Sequence, residues 1–352
     1  MDLQENSSAK SSDHTSAMDE IEPESTLAAC VVTIHPAGDA IIIAKSDDIK
    51  AHFIVSSQAF ALVCEPWNAM VKYRATMGEQ KSTHQMEFTL EDDDWGALEV
   101  VLRIAHLQFN KLSELDLEDV LDLALLTDKY QATAIVGPWI SGWLEKTWKK
   151  ASIEDRIQNF WIAWEYGLLE DLKDLGRTMI MGTELNEDCT TLLFNRKPLP
   201  ENLPPGLAKS IFDSRAHVIA QLTQAVRNYA LQCFRPGKNI SFCLMNINAC
   251  DMAICGSLVR GLQDLNLYPP ESAHRVTRSV LGLSAALKNL RIFNSEETSS
   301  SGGYKFSHDA CNPKNTIRER VTAIVTSEVP SALMMPHLTH LQRQRSLLGL
   351  PK

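Results

Sequence analysis

The amino-acid sequence predicts an α+β fold, in which a short β-sheet flanked by a helical cluster precedes a mostly α-helical C-terminal region. The β-branched run at 40–44 and the return segment at 49–55 predict two strands joined by a polar turn, because β-branched residues suit buried strands. Apolar and polar residues alternate over 86–90, which is typical of a half-buried strand. From Trp95 onward, apolar residues recur every three or four positions, which predicts amphipathic helices.

The predicted hairpin runs into two short helices. Ser56 and Ser57 are expected to cap the first helix, because a serine oxygen accepts hydrogen bonds from the free N–H groups of a first helical turn. Pro66 is expected to open the second helix, since proline suits the first helical position. The other elements predicted in the first 150 residues are a strand at 29–34 and helices that begin near 92, at 117 and at 134.

Further helices are predicted after residue 150. The segments 153–168 and 169–183 are expected to form a helical hairpin, and 207–234 is expected to form a long amphipathic helix. The tail from Ser331 is expected to form a short helix that packs back on the body. The apolar face of the hairpin consists of Phe160, Trp161, Trp164 and Leu168, which we interpret as core rather than as an exposed binding face.

Composition and charge exclude several classes of function. The chain has 352 residues, of which 44% are hydrophobic, and a formal net charge of −10. Nucleic-acid affinity comes mainly from lysine and arginine, so no nucleic-acid partner is expected. No apolar run approaches the roughly 20 residues that span a bilayer, so no membrane association is expected. The eight cysteines show no short repeating pattern and the N-terminus is polar. We therefore expect reduced thiols and a location in the cytoplasm, the nucleus or both.

One group of residues has the chemistry of a metal site. Cys243, Cys250, His308 and Cys311 would supply three thiolates and one imidazole, and zinc is typically held by four such ligands in a tetrahedron. Only the pair His308 and Cys311 has the close spacing of a common zinc motif. The alternative is that the cysteines are small core hydrophobic residues. Zinc is the one cofactor that the sequence suggests.

No catalytic site is predicted. The sequence contains none of the patterns G-x-S-x-G, H-E-x-x-H, G-x-x-x-x-G-K or G-x-G-x-x-G. We expect a binding protein rather than an enzyme.

The order of the predicted elements, and several short motifs, resemble the BTB/POZ domain, particularly its fungal branch. In that family a strand hairpin, a helical pair, one more strand and then three helices follow one another. The resemblance covers about residues 30–150. The motifs that resemble the family are GDAIII at 38–43, AHFIVSS at 51–57, PWNAM at 66–70, LEDDD at 90–94 and ALLTDKY at 124–130, followed by the tryptophan-rich helix with Trp139 and Trp143. Glu65 and Trp67 depart from the family pattern.

The resemblance implies a function. BTB/POZ domains are non-catalytic protein-interaction modules that often form homodimers, so we expect protein partners or self-association. Asp39 and His52 occupy positions that resemble the semi-buried polar pair of the family, either satisfying nearby backbone groups or contacting a partner. One alternative is a substrate adaptor for a cullin-type ubiquitin ligase. The other is a zinc-binding or transcription-associated scaffold that uses the C-terminal cysteines.

The predicted domain organisation follows from these features. Residues 1–26 contain seven acidic residues, one lysine and few large apolar residues, so they are expected to form a disordered acidic tail. Residues 27–150 form the predicted BTB/POZ domain and 151–235 a helical extension. Residues 236–352 form a C-terminal helical region with a flexible loop near 296–303.

Overall fold

A computed structural model describes most of the chain. The described residues are 30–45, 50–76, 85–232, 243–244, 246–270, 272–295, 300–301, 304–305 and 308–350. The predicted acidic tail at 1–26 lies outside them, and so does most of the loop predicted near 296–303. The described residues form a mixed α+β structure with a small sheet and a helical C-terminal region, as the sequence predicts.

The first part of the chain is built on a four-stranded mixed sheet. Its strand order is β1-β3-β2-β4, with β1 parallel to β3, β2 antiparallel to β3, and β4 parallel to β2. Alternate residues of the central strands, such as Ile42 and Phe53, point to one buried face. The four strands are β1 Cys30–Thr33, β2 Ala40–Lys45, β3 Lys50–Val55 and β4 Met86–Glu91.

Five helices belong to the same part of the chain. The Trp67 indole stacks on the Phe60 ring, with the ring centroids 4.4 Å apart, and both side chains are fully buried beneath the sheet. Asp94 caps α3 and Asp116 caps α4 by accepting backbone N–H groups of the first turn. The helices are α1 Ser57–Ala61, α2 Glu65–Thr76, α3 Trp95–Ala105, α4 Leu117–Tyr130 and α5 Thr133–Lys146.

The N-terminus of α1 is capped differently from the sequence prediction. The Ser56 side chain makes no capping hydrogen bond. Instead, the Ser57 N–H donates to Asp39 Oδ1 at 2.7 Å, and the Ser56 N–H donates to His106 Nε2 at 2.9 Å. Asp39 precedes β2 and His106 follows α3, so acceptors that are distant in sequence replace the local serine.

The helical extension differs from its prediction in one detail. The segment predicted as one helix at 153–168 is divided into α6 Ile153–Gln158 and α7 Phe160–Glu165, and Asn159 lies between them in a non-helical conformation. A small antiparallel sheet that the sequence did not predict follows α8. The remaining elements of the extension are α8 Leu169–Gly182, β5 Glu184–Leu185, β6 Leu192–Phe194, β7 Lys197–Pro198 and α9 Leu207–Gln232.

Helices α10, α11 and α12 pack around α9, which also contacts α8, whereas α13 contacts α5 and α7. One continuous apolar core extends from Ile34 beside the sheet to Leu341 in the last helix, and the predicted division at 150 and 235 stays a prediction. Among the described residues, no helix combines the length and apolarity required to cross a membrane. The C-terminal elements are α10 Asn248–Asp264, α11 Val280–Lys288, β8 Ser300–Ser301, β9 Tyr304–Lys305, a 3-10 helix His308–Cys311, α12 Lys314–Ser327 and α13 Met335–Leu347.

Candidate functional site

The fold brings together the four residues that the sequence suggested as metal ligands. Cys243 precedes α10, and Cys250 lies in its first turn. His308 and Cys311 are the two ends of the 3-10 helix that leads into α12. One ligand atom from each residue lies within 4.8 Å of all the others. We call this group the Cys3His cluster.

The distances in the Cys3His cluster suit a tetrahedral zinc ion. Zinc bond lengths of about 2.3 Å to sulfur and 2.0–2.1 Å to nitrogen give tetrahedral edges of roughly 3.8 Å between sulfurs and roughly 3.6 Å between sulfur and nitrogen. Cys243 Sγ lies 3.4 Å from His308 Nδ1, and Cys311 Sγ lies 3.9 Å from the same nitrogen. The group therefore needs only small side-chain shifts to coordinate zinc.

Burial sets the chemistry of the Cys3His cluster. Its four side chains are between 0% and 7% exposed. Burial, and then the neighbouring Cys243 and Cys311 sulfurs, raise the pKa of the Cys250 thiol to about 11. Cys250 is therefore protonated at neutral pH without metal, and a bound metal ion would have to displace that proton.

Backbone groups around the Cys3His cluster hold the ligands in position. The Leu244 N–H donates to Cys311 Sγ at 3.4 Å, which stabilises negative charge on that sulfur. The Cys243 N–H donates to Asp251 Oδ1 at 2.8 Å, which ties this ligand to the first turn of α10. His308 Nε2 is buried and makes no hydrogen bond to the described residues. Four protein ligands in a buried group correspond to a closed, structural metal site rather than a catalytic one.

Cys255 is separate from the Cys3His cluster. It lies in α10 and is disulfide-bonded, so the expectation that all the cysteines are reduced is wrong at this position. The other described cysteines are free thiols: Cys30, Cys64, Cys189, Cys243, Cys250 and Cys311.

Asp39 and His52 lie in the first part of the chain, far from the Cys3His cluster in sequence. Asp39 binds Ser57 twice, because Oδ1 accepts from its N–H and Oδ2 accepts from its hydroxyl at 2.7 Å. These hydrogen bonds, which lower the pKa of Asp39 against the opposing effect of burial, agree with the backbone-satisfying interpretation. His52 is half-buried on β3, and its Nε2 is buried without a partner among the described residues. No described hydrogen bond joins Asp39 to His52.

Sequence reasoning missed two groups that the structure places at structural junctions. The Arg215 side chain is fully buried and donates to the carbonyls of Thr183, Val276, Thr277 and Arg278. The Glu165 side chain is also fully buried and binds residues of two other helices. Arg215 lies on the apolar face of α9, four residues after Ile211 and three before Val218, so helical periodicity could have placed it inside. Charged residues are rarely buried, however, and their partners lie in other elements, so both groups were missed.

Comparisons with protein-family models, with curated proteins and with solved structures found no match to this chain. The functions considered below therefore depend on the residues and geometry of the chain itself.

Proposed function

We propose that the chain is a non-catalytic protein-interaction protein, with a module of the BTB/POZ type at about residues 30–150. The order of elements supports the proposal. The β2–β3 hairpin, the pair α1 and α2, the strand β4 and then α3 to α5 follow one another, which is the order that the resemblance implies.

The outer face of the four-stranded sheet carries the proposal. Ile41, Ile43 and Ile54 point away from the buried face and are half-buried, and Val31 on the same face is 59% exposed. A sheet that shows one face to water normally carries polar residues on that face. On β4 this face carries the exposed polar residues Glu87, Thr89 and Glu91, so its apolar part is confined to β1, β3 and β2. An apolar patch with a polar rim is characteristic of an interaction surface.

The free edge of β1 adds to this surface. β1 pairs only with β3 within the described residues, so its other edge is open to another strand. The register places Val31 beside His52, and His52 beside Ile43. We propose that a second copy of the chain binds here. In this arrangement His52 would contact the second copy instead of satisfying nearby backbone groups.

Co-purification of two differently tagged full-length copies tests the proposal. Val31→Glu places a charge on the outer face and is expected to reduce recovery of the second copy at least tenfold. Leu281→Glu is the matched control, because Leu281 is 53% exposed on α11 and lies outside the module. Equal recovery for wild type and Val31→Glu would contradict the proposed surface.

The Cys3His cluster supports a second function, that of a zinc-held scaffold in the C-terminal region. Zinc would connect the start of α10 to the 3-10 helix that precedes α12, two segments that are distant in sequence. Metal analysis of purified protein is expected to find about one zinc per chain and its loss in Cys311→Ala. Absence of zinc from protein purified without chelator would contradict the proposed zinc-held scaffold.

A further inference from the structure

The last helix, α13, docks on the body through polar groups as well as through the apolar Leu338 and Leu341. Its buried residues are His337, Leu341 and Gln344, so only one of them is apolar. α13 packs against α5, the last helix of the module, and α7, in the extension. The strength of buried polar contacts depends on the protonation state of the groups that form them.

Glu165 lies at the centre of this interface. Its carboxyl group accepts hydrogen bonds from the Thr133 hydroxyl at 2.6 Å and from Gln344 Nε2 at 2.5 Å. These donors are neutral, and no lysine, arginine or histidine of the described residues forms an ion pair with Glu165. A buried carboxylate without a cation is costly, because burial penalises the charged form.

Further contacts join α13 to the same region. The His340 ring stacks on the Trp164 ring, with centroids 3.9 Å apart and an interplanar angle of 3°. His337 Nε2 donates to the Pro205 carbonyl at 2.9 Å, and its Nδ1 accepts from the Met334 N–H at 3.2 Å. These two bonds require the neutral form of His337.

We propose that α13 is a proton-dependent strap, which docks on α5 and α7 when Glu165 is protonated and is released when Glu165 ionises. Gln344 covers Glu165 from the α13 side, so release of α13 would bring the carboxyl group into contact with water. The carboxylate would then be hydrated instead of desolvated. Proton binding and docking are therefore linked, and each must favour the other.

The surroundings of Glu165 agree with this linkage. Burial, and to a smaller extent the negative charge of Asp128 on α4, raise the pKa of Glu165 to about 8, although the hydrogen bonds from Thr133, Thr127 and Gln344 lower it. Tyr166, the next residue, is also buried, and its pKa is raised above its ordinary value by burial and then by Glu165.

The charged and titratable groups of α13 affect docking at acidic pH, below the range in which Glu165 ionises. Burial lowers the pKa of His340, and Arg343 and His337 lower it further. Protonation of His340 therefore weakens docking below about pH 6.5. Arg345 donates to the Gly167 carbonyl at 3.3 Å. Between pH 6.5 and 8, where His340 is neutral, ionisation of Glu165 governs docking.

Hydrogen exchange of the full-length protein tests the proposal. After correction for the intrinsic exchange rate, protection of the α13 amides is expected to fall by up to about tenfold per pH unit between pH 6.5 and 8. The α9 amides report global unfolding and should keep their protection. Glu165→Gln should flatten the pH dependence of α13, because glutamine remains neutral. Glu170→Gln, on the exposed surface of α8, is the matched control and should behave like wild type.

A second variant tests docking without changing the titrating group. Gln344→Ala should lower α13 protection at every pH. The proposal is overturned if α13 protection is independent of pH, if α9 loses protection in parallel, or if Glu165→Gln keeps the wild-type slope. If Glu165→Gln does not fold, the wild-type comparison of α13 with α9 decides: loss of α13 protection alone supports the strap, and any other result overturns it.

Discussion

Removal of one ligand from the Cys3His cluster gives a stability change that can be worked out from the structure. A metal that binds only the folded chain stabilises it by RT ln(1 + [Zn]/Kd), which is about 4 kcal/mol when zinc is present at about 1,000 times Kd. Cys311→Ala deletes one sulfur, which leaves three ligands. Without metal, the same substitution removes one buried atom and should cost only about 1 kcal/mol. A bound zinc ion and core packing would therefore make contributions of different size.

Urea unfolding separates these two contributions. Wild type with zinc should be about 4 kcal/mol more stable than wild type with a chelator, whereas Cys311→Ala should be insensitive to both. Cys189→Ala, a free thiol outside the Cys3His cluster, serves as the control and should retain the zinc response. If wild type and Cys311→Ala responded equally to zinc, the four residues would not form the metal site. If neither responded, the buried cysteines would be core residues only.

Three further outcomes are expected in the rest of the fold. Burial lowers the pKa of His106, whose Nε2 must stay unprotonated to accept the Ser56 N–H. The free energy of unfolding should therefore be constant above about pH 6.5 and fall at lower pH. Urea unfolding at pH 7.5 and 5.5 should show a smaller fall for His106→Gln. Arg215→Met leaves buried carbonyls without a donor and should cost about 3–5 kcal/mol by the same assay; a cost below about 1 kcal/mol would contradict the role given to this side chain. Asp39→Ala removes both acceptors of Ser57 and should cost about 2 kcal/mol, whereas an unchanged midpoint would show that water replaces them.

Local patterns in the sequence predict most of the elements. Ile42 and Phe53 mark the hairpin strands, and their β-branched and aromatic neighbours match the buried face of the sheet. The predicted helix at 117–130 agrees with α4, because Asp116 forms a capping box with Asp119 and the apolar periodicity is regular. Where one local interaction dominates, the sequence therefore indicates the structure.

Long-range and buried polar interactions could not be predicted in this way. The position of β4 beside β2, and of β1 beside β3, depends on packing between segments that are distant in sequence. Asn159 divides a segment whose apolar spacing suggests one helix. The contacts of Glu165 and Arg215 depend on partners 32 or more residues away, and no pattern of period two or 3.6 identifies them.

For the Cys3His cluster, the sequence indicated the residue types of the ligands but not their geometry. Residue type alone selected Cys243, Cys250, His308 and Cys311, because thiolates and imidazole are the ligands that zinc prefers. Their spacing did not distinguish a metal site from core cysteines. The distance of 3.4 Å between Cys243 Sγ and His308 Nδ1 is visible only after α10 and the 3-10 helix have packed together.

Sedimentation equilibrium of the full-length protein over micromolar concentrations tests the central proposal most directly. If the outer face of the sheet binds a second copy, the average mass of wild type should rise with concentration toward twice that of the chain. Val31→Glu should remain at the mass of one chain. A wild type that stays monomeric throughout, or a Val31→Glu variant that associates equally well, would contradict the proposal.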